Sequence, residues 1–331
     1  MAIVQLADVF KRELWSDEFL NENDELLNVI NSGILVQDAR LQALVNANDS
    51  GSTFEIPYIQ EDVFVEPNIM TDVPTDLMTP KKIGKDKMFA MLGQYATSWA
   101  EADLVPTLSS GTDPILALQT LIARYWGTDL QNRIIATCKG LLASDLAGAS
   151  EITLDVGEAI PTATSILTRS NVIDVLAKRG DYGTMSINDT IIVNTKQYSD
   201  LQKAEDIAFI QPAGNGLMIE SAFGMRLIVN DRIPTVGNKQ TAIILKAGAF
   251  GYAQKAQAIP VELDRDAKGG NGGAITELIA RRGQLIHPNG WSFDSSTVAG
   301  ISPTYAEIEV ATPWTRKHSV KKSQILFLTT N

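Results

Sequence analysis

Between Ile115 and Leu142, apolar residues recur at spacings of three and four, and this pattern limits the fold more than any other feature of the chain. Ile115, Leu118, Leu121, Ile122, Tyr125, Trp126, Leu130, Ile134, Ile135, Cys138, Leu141 and Leu142 share the helical period. Thr112-Asp113-Pro114 supplies an N-cap residue, an acid for the first turn and a proline near the first helical position. The spacing predicts one helix over 112–147, roughly 50 Å long at about 1.5 Å per residue, with Gly127 and Gly140 as points where it can bend. A helix of that length sets the architecture, and the other elements are arranged around it.

The chain before it reads differently. Residues 1–50 carry two short helical patterns, one begun by Val4, Leu6, Val9 and Phe10, the other by Leu26, Leu27, Val29, Ile30, Leu41, Leu44 and Val45, interrupted at Gly33. This stretch suits an arm lying on something else as well as it suits a core. From Thr53 the period becomes two: Phe54, Ile56 and Tyr58 alternate with Glu55 and Pro57, and Val63-Phe64-Val65 follows. Pro67, Pro74 and Pro80 then exclude a central strand, because proline lacks the amide donor a ladder needs. A second extended run, Lys87 to Ala96, closes the segment. Two strands around a long proline-dotted stretch predict a projecting hairpin loop, a length that compact domains rarely carry without a use.

After the long helix the elements alternate. Helices are expected over 170–178 and 196–203, and strands over 190–194, 225–229 and 242–245, giving a mixed sheet with helical cover. Pro260 to Arg265 and Ile275 to Ile286 read as paired strands around the flexible tip Gly269-Gly270-Asn271-Gly272-Gly273, and Ile325-Leu326-Phe327-Leu328 as a last strand. The fold class is α+β. Residues 185–255 read as inserted between the long helix and the C-terminal strands.

Chemistry has little to work with. With 44% hydrophobic and 20% charged residues, the 331-residue chain has the composition of an ordinary globular protein. It holds two histidines and one cysteine. His287 precedes the turn Pro288-Asn289-Gly290, and His318 sits beside Lys317. Neither has a ligand partner at helical spacing, so no metal site is expected. Cys138, inside the helical pattern, reads as a small buried hydrophobe. A Gly-x-Ser-x-Gly elbow and a phosphate-binding Gly-x4-Gly-Lys motif are both missing. The glycines at 269–273 and Gly214-Asn215-Gly216 read as turns. The 39 acidic residues make neighbours such as Glu61-Asp62, Glu101/Asp103 and Glu205-Asp206 expected by number alone, and solvated surface is their default. No catalytic residue and no cofactor is assigned.

A net charge of −11 repels phosphate backbones, which argues against direct nucleic-acid recognition. No apolar run is long enough for a membrane span. The N-terminus, Met1 to Phe10, has no basic region before an apolar stretch, so a cytoplasmic product without a secretory signal is expected. Against this acidic background Lys81, Lys82, Lys85 and Lys87 cluster at the end of the projecting loop. They read either as a solvated edge that resists aggregation or as contacts to an acidic face of a neighbouring subunit, fixing register between copies.

The order of elements and several local stretches resemble the major capsid proteins of tailed bacteriophages, whose fold is named for bacteriophage Hong Kong 97, and within them the coat-protein group described as Gp13-like. The residues that carry the likeness are Gly224 to Pro234, Ile286 to Phe293, Pro303 to Glu307, and Trp314 with Arg316. The likeness extends over essentially the whole chain. It implies an N-terminal arm over 1–50, an extended loop over 51–104, a peripheral domain from 105–187 and 253–331 with the spine helix at 112–147, and an axial domain over 188–252. It also implies a virion protein that is not an enzyme, assembled in the bacterial host cytoplasm. Its copies would join as hexamers and pentamers into an icosahedral head that encloses double-stranded DNA without sequence-specific binding. No long heptad pattern precedes the arm, so a separate scaffolding protein is expected, with a portal and possible decoration proteins as further partners. Two rivals stay open: an encapsulin nanocompartment shell, and an α/β enzyme with a carboxylate site.

Overall fold

A computed structural model describes residues 3–4, 32–47, 51–59, 66–75, 77–78, 84–103, 114–158, 162, 165–204, 206–210 and 219–331. In chain order these form β1 (Ile3–Val4), β2 (Leu35–Gln37), α1 (Ala39–Ala47), β3 (Thr53–Ile59), β4 (Lys85–Ala102), α2 (Pro114–Ala147), β5 (Thr153–Asp155) and α3 (Arg169–Ala177). Next come β6 (Thr190–Val193), α4 (Thr195–Lys203), β7 (Ile207–Ile210), β8 (Ile219–Ala222), β9 (Met225–Val229), β10 (Thr235–Val236), β11 (Lys239–Leu245) and β12 (Phe250–Lys255). The chain closes with β13 (Val261–Asp266), β14 (Ile275–Pro288), β15 (Trp291–Phe293), α5 (Tyr305–Glu309), β16 (Trp314–Arg316) and β17 (Ile325–Thr330).

Two large sheets flank the long helix α2. Among the described residues the first has the order β1-β4-β14-β12-β2, with β3 added to one end of β4 and β13 to β14. The second runs β5-β17-β11-β6-β9-β8-β7, with β10 on β11. In the second sheet β6 lies between antiparallel β11 and parallel β9, and all four of its residues are buried. Central strands covered on both faces read as unbroken apolar runs, which explains Thr190-Ile191-Ile192-Val193 and the all-buried Ile325–Thr330 of β17. β5 and β17, on either side of the 188–252 stretch in sequence, join this sheet through β11.

Local chemistry starts the helices and turns the strands. Asn194 caps α4: its side chain accepts from the Gln197 amide at 2.8 Å, and the Gln197 side chain accepts from the Asn194 amide at 3.3 Å. Such a capping box satisfies two of the amides a helix start leaves open. Thr304 and Glu307 repeat the device at α5. β8 turns into β9 through Phe223 and Gly224, both at positive φ (57° and 82°), the geometry that matches strand twist in a two-residue hairpin.

α2 is joined to the rest at both halves. Asp145, near its end, accepts from the amides of Glu151 and Ile152 and from the Thr153 hydroxyl at 2.7 Å, tying the helix to β5. Gly140, expected as a bend, instead permits close approach: a β-carbon there would lie 2.1 Å from the Ile308 carbonyl oxygen and 2.5 Å from the Trp314 indole nitrogen. Ser144 donates to the Trp314 carbonyl at 2.9 Å beside it. Toward the other half, Trp99 of β4 meets Tyr125 edge-to-face at 5.3 Å.

The expectation of a helix begun by Val4 is corrected: Ile3–Val4 pairs in parallel with Ala100 and Glu101 of β4. Leu6, Val9 and Phe10 lie outside the described residues, as do Leu26 to Ile30 and the expected cap Thr112-Asp113. Glu101 is a second correction. Read as solvated surface, it is buried at 4% exposure, because at that point β4 is an inner strand between β1 and β14.

Candidate subunit-contact surfaces

β3 and β4 form a hairpin in the register Thr53↔Met91 to Ile59↔Lys85. Alternation places Phe54, Ala90 and Leu92 inward, where they join Leu41 and Val45 of α1, Ala253 and Leu285 in a small core of their own. The root is pinned to the far end of the chain. Ser292 Oγ accepts from the Phe89 amide at 3.0 Å. Asp86 accepts from the Tyr58 hydroxyl at 3.0 Å and pairs with Lys317 at 3.4 Å, while the His318 ring stands edge-on to Tyr58 at 5.5 Å. The Lys87 amide, then the Tyr58 hydroxyl and Lys317, hold the Asp86 carboxyl below its ordinary range.

Residues 66–75, 77 and 78 belong to no helix or strand, and all are exposed. Ile69 is 85% exposed, Met70 96%, Leu77 88% and Met78 80%. Burying each such side chain is worth about 1.5–3 kcal/mol, so a segment presenting four of them forgoes a large stabilisation unless another surface covers it.

The lysines expected at this loop fall in two groups. Lys85 and Lys87 are exposed on β4, and Lys87 pairs with Glu55 across the hairpin at 2.6 Å. Lys81 and Lys82 lie outside the described residues.

A second apolar strip lies on β13. This strand pairs only with β14, in the register Val261↔Ala280 to Asp266↔Ile275, and its outer edge has no partner among the described residues. Ile259, Val261 and Leu263 are 51%, 45% and 55% exposed. Their neighbours across the ladder, Leu278 and Ala280, are fully buried, so the apolar surface starts in the core and runs out to the edge. The sequence pattern showed the strand; that its apolar side would be open could not be read without the strand order.

Where α2, β4, β14 and α5 meet, Asp129, Arg133 and Gln284 form a buried polar cluster that the partly exposed Tyr305 closes. Arg133 Nε donates to Asp129 at 3.0 Å, Gln284 Nε2 to the same carboxylate at 2.6 Å, and the Tyr305 hydroxyl to its other oxygen at 2.5 Å. The Arg133 guanidinium lies 3.4 Å from the Tyr95 ring centre. Burial pushes the Tyr95 hydroxyl up to about 12, against the pull of Arg133. The cleft beside these residues offers about 40 Å³, enough to hold water.

The reactive side chains are placed apart. Cys138 is buried, and desolvation lifts its thiol to about 12, far from the thiolate a nucleophile needs. His287 is buried near the end of β14, its Nε2 without a hydrogen-bond partner among the described residues. Desolvation first, and then His318, lower it to about 4, with Asp38 opposing. Asp103 pairs with Arg265 at 2.8 Å and accepts from Thr276. Among the described residues no three His, Cys, Asp or Glu side chains converge on a metal-sized site. The glycines at 269–273 form the tip between β13 and β14. Gly214 to Gly216 lie outside the described residues.

No family model matches the chain. The chain is 29% identical over 331 residues to the major capsid protein of Bacillus phage SPP1, covering 98% of both chains. Among solved structures it is similar to a chain of Mycobacterium phage Adephagia, with a TM-score of 0.57 at 12% identity over 100% of this chain and 99% of the other. It is also similar to the capsid of Ralstonia phage GP4, with a TM-score of 0.53 at 9% identity over 90% and 87%. These two likenesses are of fold.

Proposed function

We propose that this chain, an α+β protein with the Hong Kong 97-type capsid fold, is the major capsid protein of a tailed bacteriophage. Its copies self-assemble as hexamers and pentamers into the icosahedral head that encloses the double-stranded DNA genome. The observation that carries this reading is the exposure of Ile69, Met70, Leu77 and Met78 between the strands of a hairpin whose root is firmly anchored. Ordering a loop costs roughly 1–2 kcal/mol per residue, and Ile69, Met70, Leu77 and Met78 of this loop are left largely uncovered by the described residues of their own subunit. Laid on a neighbour, it gains both apolar burial and backbone pairing. The likeness to the SPP1 major capsid protein along nearly the full length of both chains supports the same conclusion.

Within this reading, 1–50 is the N-terminal arm and 51–104 the extended loop. Residues 105–187 and 253–331 form the peripheral domain, and 188–252 the axial domain at capsomer centres. Lys81, Lys82, Lys85 and Lys87 contribute to contacts between subunits. A separate scaffolding protein, a portal and a decoration protein are the further partners, and assembly takes place in the bacterial host cytoplasm. The net charge of −11 suits a wall that holds DNA without binding it tightly.

The test is purification of the full chain followed by size-exclusion chromatography and negative-stain microscopy. Megadalton closed particles or capsomers are expected. A small soluble oligomer with a turnover activity would overturn the reading, and particles filled with a protein cargo in place of DNA would replace it with the nanocompartment.

A further inference from the structure

The chain is acidic overall, yet its last stretch is not: from Val310 to Asn331 it holds four lysines and arginines and no acid. Two of these are already engaged, Arg316 with Glu151 and Asp145, and Lys317 with Asp86. The other two, Lys321 and Lys322, are exposed on the short helical turn Val320–Lys322. That turn packs against a second one, Gly180–Tyr182, where a β-carbon on Gly180 would lie 3.7 Å from Lys321 Cε. Lys246 joins them. Its Nζ donates to the Tyr182 carbonyl at 3.0 Å, and its amide to the Gln324 carbonyl at 2.9 Å.

Directly before Gly180, Arg179 turns inward. It is 1% exposed, and none of its three guanidinium nitrogens has a hydrogen-bond partner among the described residues. Burial lowers it to about 10, with Asp189 opposing, so it stays cationic at neutral pH. Asp189 is itself buried, accepts from the Ala247 and Ser186 amides, and makes no ion pair with Arg179 among the described residues. Asp181 on the turn and Asp174 on α3 are exposed acids close by in sequence. Lys178 spends its Nζ on the carbonyls of Ser150 and Thr153. With it, five cations stand against three carboxylates, a local excess of positive charge in a chain of net charge −11. A buried guanidinium with nothing to donate to is costly to keep. Its field is little screened by the protein around it and adds to that of the lysines at the surface.

We propose that the surface where these two turns meet binds phosphate oxyanions, with Lys246, Lys321 and Lys322 as the contacting groups and Arg179 as the buried charge behind them. Lysine binds phosphate as a point charge without demanding one geometry, which suits the sequence-independent backbone of duplex DNA. The site is read from the single subunit, and the shell-forming reading supplies the DNA that it meets. Three lysines make a weak contact, and many copies along one duplex hold it by multivalency. The acidic remainder of the chain repels the same backbone, which confines the contact to this patch.

The test uses unassembled full-length subunits and a fluorescein-labelled duplex of random sequence, with fluorescence anisotropy read across a salt series. The unaltered chain is expected to bind, and more weakly as salt rises. Lys321→Glu combined with Lys322→Glu is expected to lose roughly tenfold at low salt. It should also flatten the log–log salt slope by about two, about one for each phosphate contact removed. Lys196→Glu combined with Lys268→Glu makes the same change in net charge at exposed lysines on other segments and is expected to leave that slope unaltered. No binding by the unaltered chain, or equal losses in both pairs, overturns the proposal. Arg179→Gln, with folding checked by circular dichroism, is expected to weaken binding roughly threefold at an unchanged slope, and full affinity in that variant overturns the role given to Arg179. Competitors separate the sources. Displacement by inorganic phosphate extends the site to the free ion, and displacement by DNA alone restricts it to the backbone. Displacement by polyglutamate as effective as by unlabelled duplex overturns the proposal in favour of an acidic polypeptide. A chain that binds DNA at these lysines but forms no particles defeats the shell reading and leaves this site in place.

Discussion

At Gly140 the long helix comes up against the Ile308 carbonyl and the Trp314 indole, so the missing β-carbon is a structural requirement. Gly140→Ala should destabilise the subunit by about 1–3 kcal/mol, the usual cost of overpacking, and not stabilise it as helix propensity alone would predict. Urea denaturation of unassembled subunits measures this directly. Asp129 makes the opposite kind of demand. Arg133, Gln284 and Tyr305 all donate to its carboxylate inside the protein, so Asp129→Ala strands a buried cation and should cost about 3–5 kcal/mol, read in the same assay. His287 sets a pH window. Its folded value of about 4 lies below the ordinary 6.5, so the folded state disfavours the proton that the unfolded chain accepts. Stability is full above pH 6.5 and declines as the pH falls from 6.5 to about 4, by a total of about 3 kcal/mol. A pH series of unfolding midpoints should show that decline, and His287→Gln should flatten it. In sequence, these residues announced little. His287 read as a turn neighbour and Gly140 as a bend, because burial and close approach are set by segments distant in sequence, Ile308 and Trp314 in the case of Gly140.

The elements were far more legible. A 3.6-residue period over nearly thirty positions has one good solution, and α2 covers Pro114–Ala147. Strict alternation gave β3, and the glycine tip gave the β13–β14 hairpin. Periodicity is local, however, and pairing is not. Nothing in Lys85–Ala102 says that one half pairs with β3 and the other with β14, or that Ser292, Lys317 and Asp86 hold the hairpin root. Val4 shows the limit, since two apolar positions fit a helix start and a short parallel strand equally well. The hairpin yields the prediction at this scale. Deleting 66–86 removes the exposed loop together with Lys85 and Asp86, the first two residues of β4, and leaves the core beneath Phe54, Ala90 and Leu92 intact. Circular dichroism should then report a folded subunit, while microscopy finds no closed shells. Full shells from the deleted chain would disprove the role given to the tip. Lys87→Ala, which breaks an exposed pair with Glu55, should change subunit stability by less than about 1 kcal/mol.

The whole molecule combines a well-buried interior with surfaces that stay unfinished in a single copy. α2 and the second sheet bury a continuous core, whereas the tip at Ile69, Met70, Leu77 and Met78 and the edge at Val261 and Leu263 remain open. A subunit built this way is stable enough to persist and incomplete enough to associate, and a closed lattice is the arrangement in which every copy covers its neighbour. The most direct test is the mass and image of the purified full-length protein at high concentration, by sedimentation velocity with negative-stain microscopy. Closed megadalton shells, or capsomers that convert to them, are the predicted result. A monodisperse monomer in which 66–78 packs down on its own subunit would contradict the account.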